Sequence, residues 1–308
     1  MADGKVLVWL VCAWMLPPVV GSAYAIDGYE VFRDCEDHCP EMVVVPPGSF
    51  AMGHDGGEPE RYEGPVREVN IDYAFAVGRF EVTQAQFEAF VAATGHSSDV
   101  GCFMWDGRVA RRDEAASWRD PGYGRAPDPE WPVACVDWYD AQAYVAWLSE
   151  KTGFRYRLLS EAEWEYSAKA GSEEVFPWGD DPAQACLHAN IFDESAARAR
   201  PEAPIAAAPC DDGHELPSPV GSFQPNAFGL YDMVGNVWEW VKDCYAMPYP
   251  DSAPRDGSPQ LELGCDRRSV RGGSWNTALD RQRPTFRGRD PAELNSQVFG
   301  FRVARDMD

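Results

Sequence analysis

The sequence predicts a single α/β domain of the α+β kind, irregular and low in regular secondary structure. Two local patterns predict it: short β-branched runs bounded by turn residues, and three capped segments with apolar side chains at helical spacing. Composition agrees, because the 308 residues include 27 glycines and 25 prolines, a density that favours short strands and many turns. The 12 tryptophans supply bulk for a sizeable core. No repeat and no linker divides the chain.

Residues 1–25 read as a secretory signal peptide. Lys5 gives a small positive start, Val6 to Val20 is apolar but broken by Pro17 and Pro18, and Ala23-Tyr24-Ala25 forms a small-x-small cleavage site. The run is too short to span a bilayer comfortably, and nothing after Ala25 is long enough either. Residues 26–40 form a leader holding Cys35 and Cys39, and the main domain runs over 41–305.

Met42 to Val45 reads as a strand stopped by Pro46-Pro47-Gly48, with Ser49 to Met52 as the second arm of a hairpin. His54 to Gly64 is polar and Gly-rich, hence a loop. Arg67 to Arg79 alternates as a strand pair. A helix opens at Thr83 with Gln86 as a capping box, buries Phe87, Phe90 and Val91, and ends at Gly95. A second runs from Asp137 to Thr152 with Tyr144, Trp147 and Leu148 inward, and stops at Gly153. The third opens with Ser160 and Glu163, buries Trp164 and Ala168, and closes at Gly171. Beyond Gly171 the chain turns irregular. The leader and Gly101 to Pro132 are expected to be the mobile parts.

A net charge of −23 at pH 7 excludes nucleic acid and anionic lipid as natural partners. Beyond Cys12 of the signal segment, eight cysteines remain: Cys35, Cys39, Cys102, Cys135, Cys186, Cys210, Cys244 and Cys265. An even count in an exported chain implies a disulfide framework in a periplasmic or secreted location. Counting alone leaves the connectivity open. The run Arg281 to Arg289 offers bidentate donors for an anionic ligand.

Seven phrases occur in one order: MVVVPPGSFAMG at 42–53, EVTQAQF at 81–87, RLLSEAEWEY at 157–166, FPWG at 176–179, NAFGLYDMVGNVWEW at 226–240, RGGSW at 271–275 and GFRVA at 300–304. Together they resemble the formylglycine-generating enzyme, or sulfatase-modifying factor, family. The resemblance spans nearly the whole mature chain. It implies a C-type-lectin-like topology and one or two structural calcium ions. The first calcium would take the side chains of Asp232 and Glu239 with the carbonyls of Gly235 and Val237. The second would take Asn190 and Asp212 by side chain, and Ile191 and His214 by carbonyl. These are the oxygen donors a hard cation selects. Bacterial relatives imply the pairs Cys102–Cys135, Cys186–Cys210 and Cys244–Cys265, which leaves Cys35 with Cys39.

Catalytic members of the family carry two cysteines after the Gly-Gly-Ser-aromatic phrase, and these bind copper(I). Thr277 and Gln282 stand at those positions here. Neither side chain is a soft ligand or exchanges a disulfide, so formylglycine generation is not expected. The family's substrate cleft maps onto Trp275, Asn276, Thr277, Gln282 and Arg287. His38, His54, His96, His188 and His214 are scattered and match no three-histidine iron motif. In export, length and leader the chain is most similar to the exported branch that lacks the cysteine pair. That branch acts in oxidative maturation of a siderophore. The favoured function is therefore an oxidoreductase-type maturation factor for a secreted metabolite or exported protein, its redox metal unspecified by the sequence. The other function class is a non-catalytic ligand- or protein-binding accessory module.

Overall fold

Capping fixes the helix boundaries, because a helix start leaves backbone N–H groups without partners. In α1 (Gln84–Thr94) the Gln86 N–H donates to Thr83 Oγ1 at 3.2 Å and the Thr83 N–H to Gln86 Oε1 at 3.0 Å. The reciprocal pair recurs at Asp137 and Asp140 before α2 (Trp138–Thr152), and at Ser160 and Glu163 before α3 (Glu161–Lys169). Gly95 and Gly153 end α1 and α2 in the left-handed conformation. Ala170, one residue earlier than expected, ends α3. The predicted aromatic stripes of these helices face the core, with Trp147 packed at its margin.

The computed structural model describes residues 23–26, 28–98, 101–105, 109–262 and 264–307. Residues 1–22 of the expected signal segment lie outside the described residues. Ala23–Ile26 forms the edge strand of a six-stranded antiparallel sheet, so cleavage after Ala25 would remove most of that strand. The order across the sheet is Ala23–Ile26, Tyr29–Phe32, Met42–Val45, Phe75–Gly78, Val303–Asp306 and Tyr156–Leu158. The leader is thus part of the main sheet. Phe32 lies opposite Met42, and both are buried. Strands from near both ends of the described chain, Tyr29–Phe32 and Val303–Asp306, lie in this one layer.

Two expected pairings differ. Met42–Val45 and Gly48–Met52 are strands but do not form a hairpin with each other. Pro46-Pro47 turns the chain out of the six-stranded sheet, and Gly48–Met52 pairs instead with Arg67–Ile71. For the same reason Arg67–Ile71 and Phe75–Gly78 lie in separate sheets. The polar loop at 54–64 holds a small hairpin, Gly57–Glu58 with Arg61–Tyr62. The expected mobile loop contains a second, Cys102–Trp105 with Ala110–Asp113.

The region after Gly171 is more ordered than its composition suggests. It supplies the short helices α4 (Ala185–His188) and α5 (Glu194–Ala199). It also supplies a four-stranded sheet in the order Gly288–Asp290, Arg268–Arg271, Trp238–Cys244 and Phe299–Gly300, the last two parallel. All four implied disulfides are present, with Cα separations of 5.4, 5.6, 5.9 and 5.7 Å for Cys35–Cys39, Cys102–Cys135, Cys186–Cys210 and Cys244–Cys265. Those distances suit the bond's geometry.

Between the two sheets α3 is buried on nearly every side, its three glutamates included. A buried carboxylate needs a charged, hydrogen-bonded partner, and each one has it. Glu161 takes both arms of Arg287 at 2.7 and 3.0 Å. Glu163 takes Arg157 at 2.6 and 2.8 Å, and Glu165 takes Arg271. These pairs tie α3 to the four-stranded sheet and to Tyr156–Leu158.

Candidate functional site

The four-stranded sheet floors a cavity of about 950 Å³, with Trp238, Val270, Asp290 and Phe299 facing it from its four strands. The hairpin Gly57–Tyr62, the loop 204–209 and the segment 276–286 wall it in. The volume suits a small organic ligand or a short peptide segment.

Thr277 and Asn276 line this cavity. The Thr277 hydroxyl accepts from Trp238 Nε1 at 3.2 Å and shares a hydrogen bond with Ser274 Oγ at 2.8 Å. Gln282 sits directly behind and is fully buried. Its Nε2 donates to the Thr277 carbonyl at 2.5 Å and to the Ser274 carbonyl at 3.2 Å. Gly273 makes room for it, since a Cβ there would fall 2.4 Å from Gln282 Oε1. Positions 277 and 282 are therefore neighbours at the cavity wall, as the family's paired positions would be, but the second is an amide that braces the backbone of the first.

Trp275 and Arg287 are not in the cavity lining. Trp275 is buried beneath it, edge-on to Tyr123 and under Arg200 at 4.4 Å. Arg287 is 1% exposed, locked on Glu161 and 3.6 Å over the Tyr249 ring, so it cannot reach a ligand. The arginine run as a whole is mostly engaged: Arg281 grips Glu58 at 2.5 and 2.8 Å, and Arg283 pairs with Glu63. Those partners lie some 220 positions away in the sequence, so the run alone could not reveal them. Sequence reasoning missed Arg61, Trp238, Phe286 and Asp290 as lining residues. Only the folded sheet brings them together.

The two segments implied as calcium sites touch each other. The Asn236 N–H donates to the Asn190 carbonyl at 2.8 Å. A Cβ on Gly235 would lie 2.3 Å from that same oxygen, so only glycine permits the crossing. Asp232 is buried, with Oδ2 accepting from the Gly221 N–H at 2.7 Å and Oδ1 without a partner. Burial holds its carboxyl up at about 6. Glu239 accepts from Trp164 Nε1 at 2.7 Å and from Arg302 at 2.7 and 2.9 Å. Glu81, absent from the implied ligand set, is buried beside them and receives the Asn236 side-chain amide at 2.7 Å and the Val237 N–H at 3.1 Å. Burial, Asp232 and Glu239 push its carboxyl well up.

In the second segment Asn190 Oδ1 is also buried without a partner. Asp212 accepts from the Ile191 N–H at 3.1 Å and the His214 N–H at 2.7 Å, and burial holds it up at about 7. Asp193, the cap of α5, accepts from the Asp212 N–H at 2.5 Å. Asp193, Asp212 and Cys186 place ligand atoms within 4.8 Å of one another. The Cys186 sulfur is spent in its disulfide with Cys210, so the oxygens are the usable donors.

Residues 29–307 match the model of the sulfatase-modifying factor enzyme 1-like domain. The formylglycine-generating enzyme of Thermomonospora curvata is 33% identical over 307 residues, covering 89% of this chain and 96% of that protein. The inactive Cα-formylglycine-generating enzyme 2 of Bos taurus is 33% identical, covering 85% and 87%. Among solved structures, PvdO from Pseudomonas aeruginosa superposes with a TM-score of 0.75 at 40% identity, covering 90% of this chain and 98% of that one. Shared architecture does not transfer an activity, but coverage this complete assigns the fold and its lineage, and the chain belongs to the sulfatase-modifying factor enzyme 1-like family.

Proposed function

We propose that this chain is an exported family member that binds a secreted metabolite or an exported protein in the cavity beside Thr277 and acts in its oxidative maturation, without generating formylglycine. One observation carries the negative half. The paired positions are a hydrogen-bonded threonine and a buried amide, and all eight cysteines after Cys12 are joined in disulfides. No thiolate among the described residues is left to hold copper(I) or to attack a substrate cysteine. Similarity to PvdO at 40% identity supports kinship with the exported branch, for which the family resemblance implies a maturation role. Export draws support from the signal-like amino terminus and the disulfide framework. No helix among the described residues is long and apolar enough to cross a membrane.

We infer in addition that calcium binds this chain. Asp232 and Glu239, with the Gly235 and Val237 carbonyls, would hold one ion. Asn190 and Asp212, with the Ile191 and His214 carbonyls, would hold the other. The unpartnered buried oxygens of Asp232 and Asn190 fit a hard cation, which satisfies such atoms as a proton donor would. Bound calcium supplies cross-linking of loops rather than chemistry.

A second reading is a binding module without chemistry. It is favoured by the Thr277 hydroxyl, which is held between Trp238 and Ser274 rather than aimed at the cavity as a free nucleophile. Elemental analysis of the purified mature chain separates the two. Stoichiometric copper or iron, with oxygen consumption on adding the metabolite fraction, supports maturation. Calcium alone, with no oxygen uptake, assigns the binding module.

A further inference from the structure

Two charged side chains of the cavity make no direct ion pair among the described residues. Arg61 projects from the hairpin Gly57–Tyr62 and is half-buried, 5.8 Å over the Phe286 ring. Asp290, at the end of the strand Gly288–Asp290, faces the same space and is also half-buried. Among the described residues neither makes a hydrogen bond or an ion pair. The other ions at the mouth differ: Arg281 is held by Glu58, Arg283 by Glu63, and Asp280 is open to water. The hairpin carrying Arg61 is held in place by the Glu58–Arg281 pair and by Arg289, which donates to the Glu60 carbonyl at 2.8 Å.

A half-buried ion has lost part of its hydration and gains from a charged partner. Arg61 and Asp290 are of opposite sign and share one cavity, within electrostatic reach of each other but not joined in a direct ion pair. Trp238 and Phe286 lie between the strands and the rim with ring centroids 5.9 Å apart, tilted by 50°. Their edges and the exposed part of Trp238 give the cavity an apolar wall against which a ring can pack.

We propose that Arg61 and Asp290 are the specificity-determining pair of this cavity, selecting a ligand that carries both a carboxylate and an ammonium group on an aromatic body. Arg61 takes the anion and Asp290 the cation. Desolvation raises the Asp290 carboxyl to about 6, and burial with Arg289 and Arg281 nearby depresses Arg61. Each feels the other's charge without a direct ion pair, and a zwitterion lying between them would pair with both at no net charge. The inference rests on the reading that this cavity binds the chain's substrate, and it adds the chemical class.

Three probes test it: L-phenylalanine, phenethylamine, which lacks the carboxylate, and 3-phenylpropionate, which lacks the ammonium. Binding is read by titration calorimetry on the purified chain. Phenylalanine should bind about tenfold more tightly than either congener. Arg61→Gln should weaken phenylalanine and 3-phenylpropionate by about tenfold and leave phenethylamine unchanged. Asp290→Asn should weaken phenylalanine and phenethylamine and spare 3-phenylpropionate. Melting temperatures at about pH 4 that match the wild type show that both variants fold. Wild-type affinity equal for all three probes, no binding of phenylalanine at millimolar concentration, or variants indistinguishable from wild type would each overturn the assignment. None of these readouts involves oxygen or a redox metal, so failure here and failure of the maturation reading are separate results.

Discussion

Asp290 shows how one side chain links stability to the cavity. Its carboxyl is held up at about 6 by desolvation, against the pull of Arg61, Arg267 and Arg289. In the unfolded chain it titrates near an ordinary aspartate value of about 4. Between those two values the folded state keeps a proton that the unfolded state has lost. Stability from this group is complete below about pH 4 and is lost as pH rises through about 6. Asp290→Asn should therefore melt with the wild type near pH 4 and above it at pH 8, by at most about 2 kcal/mol. Thermal unfolding across that range checks the sign, and an Asn variant less stable at pH 8 would reverse it. Nothing near Asp290 in the sequence signals this, because Arg61 is more than two hundred positions away. Thr277 and Gln282 were legible, since the RGGSW phrase numbers them. That Gln282 braces the Thr277 carbonyl was not, because the bond depends on a turn through Gly273.

At the level of elements, local rules read the helices well. Each of α1, α2 and α3 has its capping box and its aromatic stripe within one short segment, and those interactions form wherever the helix forms. Strands fared differently. Their existence was visible at Met42–Val45 and Phe75–Gly78, but a strand's partner is a non-local choice, and Pro46-Pro47 sent Gly48–Met52 to another sheet. The disulfides act at the same level. Cys186–Cys210 closes a loop of 24 residues and carries Asn190 and Asp212 on its two arms. Replacing both cysteines by serine should cost about 3 kcal/mol in denaturant unfolding. It should also weaken calcium retention, because the two oxygens would no longer be tethered. A loss confined to stability, with calcium affinity unaltered, would place the ion elsewhere.

For the molecule as a whole, the ion pairs of α3 join the two sheets, and the loop before α5 crosses the loop before Trp238–Cys244 where Asn190 meets Gly235 and Asn236. An ion at that crossing would bind only the folded chain and stabilise it by mass action. Chelation with EGTA should then lower the melting temperature by roughly 5 °C, and added calcium should restore it. An unchanged melting curve would remove the metal from both segments. The sequence by itself determined the family, the capped helices, the absence of the thiol pair and the acidic character. These follow from residue identity and from contacts a few positions apart. The tertiary structure alone decided that the leader completes the main sheet, that Arg287 is a buried counter-ion rather than a ligand, and that Arg61 and Asp290 face one cavity. Each of those depends on long-range pairing, where burial sets a charge's role and no local pattern records which distant partner it will meet.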